Sequence, residues 1–143
     1  MIVPDVNLLV HAYSAESPVH DRARTWLEHV MSDSAPVGLT WVALLGFIRI
    51  TTHPRIMGRP FSAETACAHV ESWLGQPHVT VLHPGKRHAV VLFDLLRGLG
   101  SAGNLTTDAH LAAIAIEHQA ELHSTDADFT RFSGLRWRNP LVD

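Results

Sequence analysis

Residues 103–129 read GNLTTDAHLAAIAIEHQAELHSTDADF. Thr107 reads as a helix cap, which puts Asp108 in the first turn of the helix that follows. Leu111, Ala112, Ile114 and Ala115 supply the buried face of that helix. A short strand is predicted over Glu121 to Ser124, and Asp126 and Asp128 stand just past its end. The start of the chain ends the same way, because the apolar run Met1-Ile2-Val3-Pro4 closes on Asp5. In a parallel α/β sheet the carboxyl ends of the strands face one crevice, so carboxylates far apart in sequence meet there. Clustered carboxylates repel one another and are costly unless a cation neutralises them. Asp5, Asp108, Asp126 and Asp128 are therefore the candidate catalytic residues, in a hard-cation pocket for Mg²⁺ or Mn²⁺. Metal-assisted phosphodiester hydrolysis is the chemistry such a pocket most often serves.

The intervening sequence alternates strand and helix signals. Asn7 to Tyr13 reads as helical, and Ser17-Pro18 as the capped start of a second helix with Val19, Ala23, Trp26, Leu27 and Val30 on its apolar stripe. Pro36 to Thr40 is a short strand, followed by an apolar helix over Trp41 to Thr51 that His53-Pro54 stops. Ser62 caps a helix that ends at Gly75, Val79 to Leu82 is a strand, and Lys86 to Leu99 is a helix closed by Gly98 and Gly100. Leu135 to Trp137 is the last strand. The pattern gives an α/β fold with three layers: a mainly parallel sheet of four to five strands with helices on both faces. One domain over residues 1–143 accommodates it, with no repeat and no linker.

Hydrophobic content of 46% and charged content of 17% fit a compact globule. No apolar run approaches membrane-spanning length and no basic leader precedes Asp5, so neither a membrane span nor a secretory signal is expected, and the expected location is the cytoplasm. Cys67 is the only cysteine, which excludes a disulfide or a cysteine-built zinc site within one chain. The net charge of −3 argues against a broad electrostatic grip on nucleic acid, but it leaves room for an enzyme that engages a few nucleotides at a metal. The eleven histidines are scattered, and no two lie four apart as on a zinc-binding helix. Trp26, Trp41 and Trp73 fall on apolar helix faces, available to the core or to a partner.

Four segments, in order and spacing, resemble those of the PIN-domain ribonucleases of the VapC toxin type: MIVPDVNLLVHAY, LLGFIRITTHPRI, AGNLTTDAHLAAIA and STDADFTRFSGLRWRNP. The resemblance runs nearly end to end. It implies a Rossmann-like sheet, Mg²⁺ or Mn²⁺, endoribonuclease cleavage leaving a 5′-phosphate and a 3′-hydroxyl, a homodimer, and inhibition by a VapB-type antitoxin in a type II toxin–antitoxin pair. By the same resemblance Asp5, Asp108 and Asp126 or Asp128 bind metal, with the choice within the last pair open. Asn7 and Thr125 match polar positions lining the pocket, and Arg49 matches a frequent arginine on the helix that carries it, suited to phosphate.

One position departs from that pattern. Where the family usually has a glutamate three residues before the arginine, this chain has Gly46, and no carboxylate lies between Asp33 and Glu64 to replace it. The alternative function is accordingly a catalytically weakened PIN fold that binds RNA or an antitoxin. Two other aspartate-based folds fit less well. A phosphoacceptor receiver domain needs a lysine on a late strand, whereas Lys86 lies near a helix start; a haloacid-type phosphatase needs an aspartate where Asn7 stands.

Overall fold

The computed structural model describes residues 1–142. Five strands form one sheet: β1 (Ile2–Pro4), β2 (Val37–Thr40), β3 (Val79–Leu82), β4 (Glu121–His123) and β5 (Arg136–Arg138). Their order is β3-β2-β1-β4-β5, and every neighbouring pair is parallel. Six helices flank the sheet: α1 (Val6–His11), α2 (His20–Ser32), α3 (Trp41–Thr51), α4 (Ala63–Leu74), α5 (His88–Leu99) and α6 (Thr106–Glu117).

The inner strands β1 and β2 are apolar and largely buried, as a covered parallel sheet requires, with all of β2 buried, while the edge strand β5 exposes Arg136 and Arg138. Successive strand residues point to opposite faces, so β1 and β3 feed both of the two cores. One core packs Leu9, Leu27, Phe47, Val70 and Trp73 from α1 to α4 against Val37, Leu39 and Val79. The other packs Leu95 of α5 and Leu111 and Ile114 of α6 against Val3, Leu82 and Leu122. Helix α6 buries a wider face than its pattern suggested, because Ala109 and Ala113 are as buried as the four residues read from sequence.

Local departures from the sequence reading have identifiable causes. Helix α2 begins at His20, not at Pro18, because Ser17 is used in the α1–α2 turn: its Oγ accepts from the Val19 amide at 3.2 Å and pairs with His11 Nδ1 at 2.8 Å. Helix α5 begins at His88, two residues after Lys86, because the Gly85 and Arg87 amides donate to the Glu117 carboxylate at 2.8 and 3.1 Å. Thr107 does not cap α6. A 3₁₀ turn over Gly103–Leu105 runs straight into the helix, and no side chain caps it. Of the tryptophans on helices, Trp73 is core, Trp26 is half-buried with its indole N–H on His123 Nδ1 at 3.3 Å, and Trp41 is exposed.

The strand order positions the site. From the central β1 the chain winds outward through β2 to β3, then returns to β4 on the other side of β1. The direction of winding therefore reverses between β1 and β4, and the crevice beyond the carboxyl ends of those two strands is where α/β sheets bind their ligands. Asp5 follows β1 there, and Ser124 follows β4.

Candidate active site

The Asp5 amide donates to the His123 carbonyl at 2.9 Å and locks the two strand ends together. Asp5 is buried, and its Oδ1 accepts from the Val6 amide at 2.7 Å, which caps α1. Its Oδ2 accepts from the Ser124 hydroxyl at 2.8 Å. That hydroxyl also accepts from Asn7 Nδ2 at 3.1 Å and from the Asp126 amide at 3.0 Å. A serine hydroxyl offers one donor and two acceptor positions, so Ser124 is fully used. The Thr125 amide makes a longer contact of 3.5 Å to Asn7 Oδ1. Asp5, Asn7, Ser124, Thr125 and Asp126 thus form one hydrogen-bonded unit built from β1, α1 and the segment after β4.

Asp126 is half-buried, and its Oδ1 accepts from the Asp128 amide at 2.9 Å at the start of the 3₁₀ turn Ala127–Arg131. Asp128 is exposed. Asp108 comes from the first turn of α6 and shares with Asp5 a cleft of about 560 Å³. Val6, Val42, Leu45, Ile48 and Leu111 give this cleft apolar walls; Gly46 and Arg49 of α3 complete it. Arg49 is exposed and makes no ion pair among the described residues.

The electrostatics tie the four carboxylates together. Burial raises the Asp5 pKa; the Ser124 and Val6 hydrogen bonds oppose this, and the Asp126 charge adds to it. The Asp108 carboxyl is pushed up to about 6, first by burial and then by the charges of Asp5, Asp126 and Asp128. Asp126, not Asp128, is the member of its pair whose charge reaches Asp5.

The donor set is all carboxylate oxygen with amide and hydroxyl support, the chemistry of a hard divalent cation. Each Asp5 oxygen accepts one hydrogen bond and keeps a lone pair free. As the side chains stand, no three His, Cys, Asp or Glu groups among the described residues close on one point as ligands. The charges of Asp5, Asp126 and Asp128 all act on Asp108, an arrangement that draws a cation. The residues fit such an ion on this electrostatic observation.

Reading the sequence alone missed Ser124 as a site residue. Its only signal was its place, the first residue after an apolar strand and two before an aspartate. Gly46 lines the cleft beside Asp5 and Asp108, and a Cβ added there would lie 3.0 Å from Val6 Cγ2.

Comparison with known proteins places this geometry in context. The PIN domain family model matches residues 2–135. The chain is 45% identical over 141 residues to Ribonuclease VapC33 of Mycobacterium tuberculosis, covering 99% of both chains. It is 40% identical over 140 residues to Ribonuclease VapC37 of the same species, covering 98% of this chain and 97% of the relative. Among solved structures, VapBC2 from Rickettsia felis bound to a DNA fragment from its promoter aligns with a TM-score of 0.69 at 17% identity, over 97% of this chain and 98% of that one, a likeness of fold.

Proposed function

Since the chain belongs to the PIN-domain family, and within it to the VapC ribonucleases, we propose that it is the toxin of a type II toxin–antitoxin pair, an endoribonuclease dependent on Mg²⁺ or Mn²⁺. One observation supports this most: Asp108 comes from a distant helix, yet its carboxyl feels the charges of Asp5, Asp126 and Asp128 at the switch point of the sheet. A structural helix-cap aspartate has no reason to face three other acids.

Asp5, Asp108 and Asp126 would hold the ion, with exposed Asp128 at the rim. When bound, the ion supplies charge that activates water and offsets the negative charge developing on phosphate. Ser124 fixes the Asp5 carboxylate and the Asp126 backbone together, so two ligands keep one spacing. Asn7 holds Ser124 from α1 and meets the Thr125 amide. Arg49, with no carboxylate partner among the described residues, offers a two-pronged donor to phosphate at the mouth of the cleft. Gly46 leaves the site one carboxylate short of the pattern that the family resemblance implies. The RNA substrate, a homodimer and action in the cytoplasm belong to the same reading. No helix among the described residues is long and apolar enough to cross a membrane.

A VapB-type antitoxin is the expected partner; the solved VapBC complexes share the fold. Growth is the direct test. Expression of the chain alone should slow bacterial growth, Asp5→Ala should not, and co-expression of the antitoxin encoded beside it should restore growth. A soluble chain that cleaves RNA yet leaves growth unaffected would refute the toxin assignment.

A further inference from the structure

Three exposed residues of α3 lie one helical turn apart: Trp41, Leu45 and Arg49. Residues four apart share a helix face, so an indole, an aliphatic side chain and a guanidinium form one stripe. Trp41 is 46% exposed and Leu45 59%, a cost to a surface helix that packing in this chain does not explain. Leu45 and Arg49 also line the cleft that runs to Asp5 and Asp108. The cleft is therefore acidic at one end, apolar along its walls and cationic at its mouth. Gly46 lets Val6 of α1 close up against α3 as one wall of the cleft: a Cβ at position 46 would press on Val6 at 3.0 Å.

A nucleotide has the complementary layout. Its base is flat and largely apolar on its faces, and its phosphate is anionic. Single-stranded RNA presents unstacked bases that proteins seat in pockets and stack on aromatic side chains. We propose that the α3 stripe with the Gly46 cleft is a nucleobase subsite beside the scissile phosphate: one unstacked base enters the cleft between Val6, Leu45 and Ile48, its neighbour stacks on Trp41, and Arg49 pairs with the phosphate joining them. This rests on the ribonuclease reading and deepens it. The cleft becomes the feature that sets which base flanks the cut, and Gly46 becomes the residue that lets its Val6 wall pack against α3. Charge and continuity select this occupant: the cleft shares Asp5 and Asp108 with the acidic site, and the guanidinium of Arg49 lines its mouth.

The test uses the full chain, Mn²⁺ and a fully randomised single-stranded RNA pool, with the cut ends sequenced. Wild type should show a base preference concentrated at one position next to the cut. Leu45→Ala, which removes a wall at an exposed position, and Gly46→Ala, which presses on the Val6 wall, should each shift or flatten that preference. Trp41→Ala should raise KM about tenfold, the scale of one lost base stack, with a smaller effect on kcat. Cleavage by wild type with a preference that both cleft variants leave intact would overturn the subsite and leave the ribonuclease reading standing; a protein segment as the true occupant would give that result. No cleavage by wild type would overturn both.

Discussion

Asp108→Asn separates a functional aspartate from a structural one. In the metal-free protein Asp108 is pushed from its ordinary value near 3.8 up to about 6, by burial and by three carboxylates. The native state therefore holds a proton that the unfolded chain gives up, so metal-free stability falls as pH rises from about 4 through about 6. Two pH units correspond to about 3 kcal/mol at most. Asp108 is half-exposed, and solvent screening reduces that to about 1 kcal/mol. Replacement by Asn removes this penalty, but also removes a favourable charge at the α6 N-terminus worth about 0.5 kcal/mol. The net gain is about 0.5 kcal/mol, or about 2 °C in Tm, for a chain of this size. The assay is thermal unfolding in chelator at about pH 7.5 and about pH 4.5, where protonation has already removed the repulsion. We expect Asp108→Asn to melt at or slightly above wild type at the higher pH and to lose that advantage at the lower one. Calorimetry should show weaker Mn²⁺ binding. A Tm several degrees below wild type at both pH values, with Mn²⁺ binding intact, would refute the reasoning and make Asp108 a helix cap.

Ser124→Ala should lower cleavage activity by about 10–100-fold, the range for residues that orient metal ligands. It should also destabilise the fold by about 1–3 kcal/mol, because the Asn7 amide and the Asp126 amide lose a buried acceptor; Ser124→Thr, which keeps the hydroxyl, should recover much of both in kinetics and melting. Gly46→Glu should tighten Mn²⁺ binding by calorimetry while shifting Tm by only about 3 °C, since relief of the glycine helix penalty of about 1 kcal/mol offsets much of the pressure on Val6; unchanged affinity would show that a side chain at 46 turns away from the acids.

Much of the fold was legible because the core elements state their period plainly. Helix α3 runs from Trp41 to Thr51 as its apolar pattern reads, and β3 over Val79–Leu82 likewise. Helix starts were less legible. Ser17 and Thr107 carry capping chemistry, yet Ser17 closes a turn with His11 and Thr107 lies inside a helix that a 3₁₀ turn has already begun. Such outcomes depend on neighbours that local sequence does not reveal. Within the site, the aspartates were visible because a strand ending in an acid is a local signal. Ser124 was not, because its role depends on Asp5 lying 119 residues away and on the parallel pairing of β1 with β4. Trp41 looked like core or partner surface by its helix, and only the packing of α3 shows that its indole faces outward.

RNA cleavage should depend on a divalent ion held by these carboxylates. The most direct measurement is RNA cleavage across a Mn²⁺ titration after stripping with chelator, for wild type and Asp5→Asn in parallel. Wild-type cleavage should vanish in chelator and return with Mn²⁺ or Mg²⁺, and Asp5→Asn should stay inactive or need far more metal. Undiminished cleavage in chelator, with Asp5→Asn as active as wild type, would contradict that dependence.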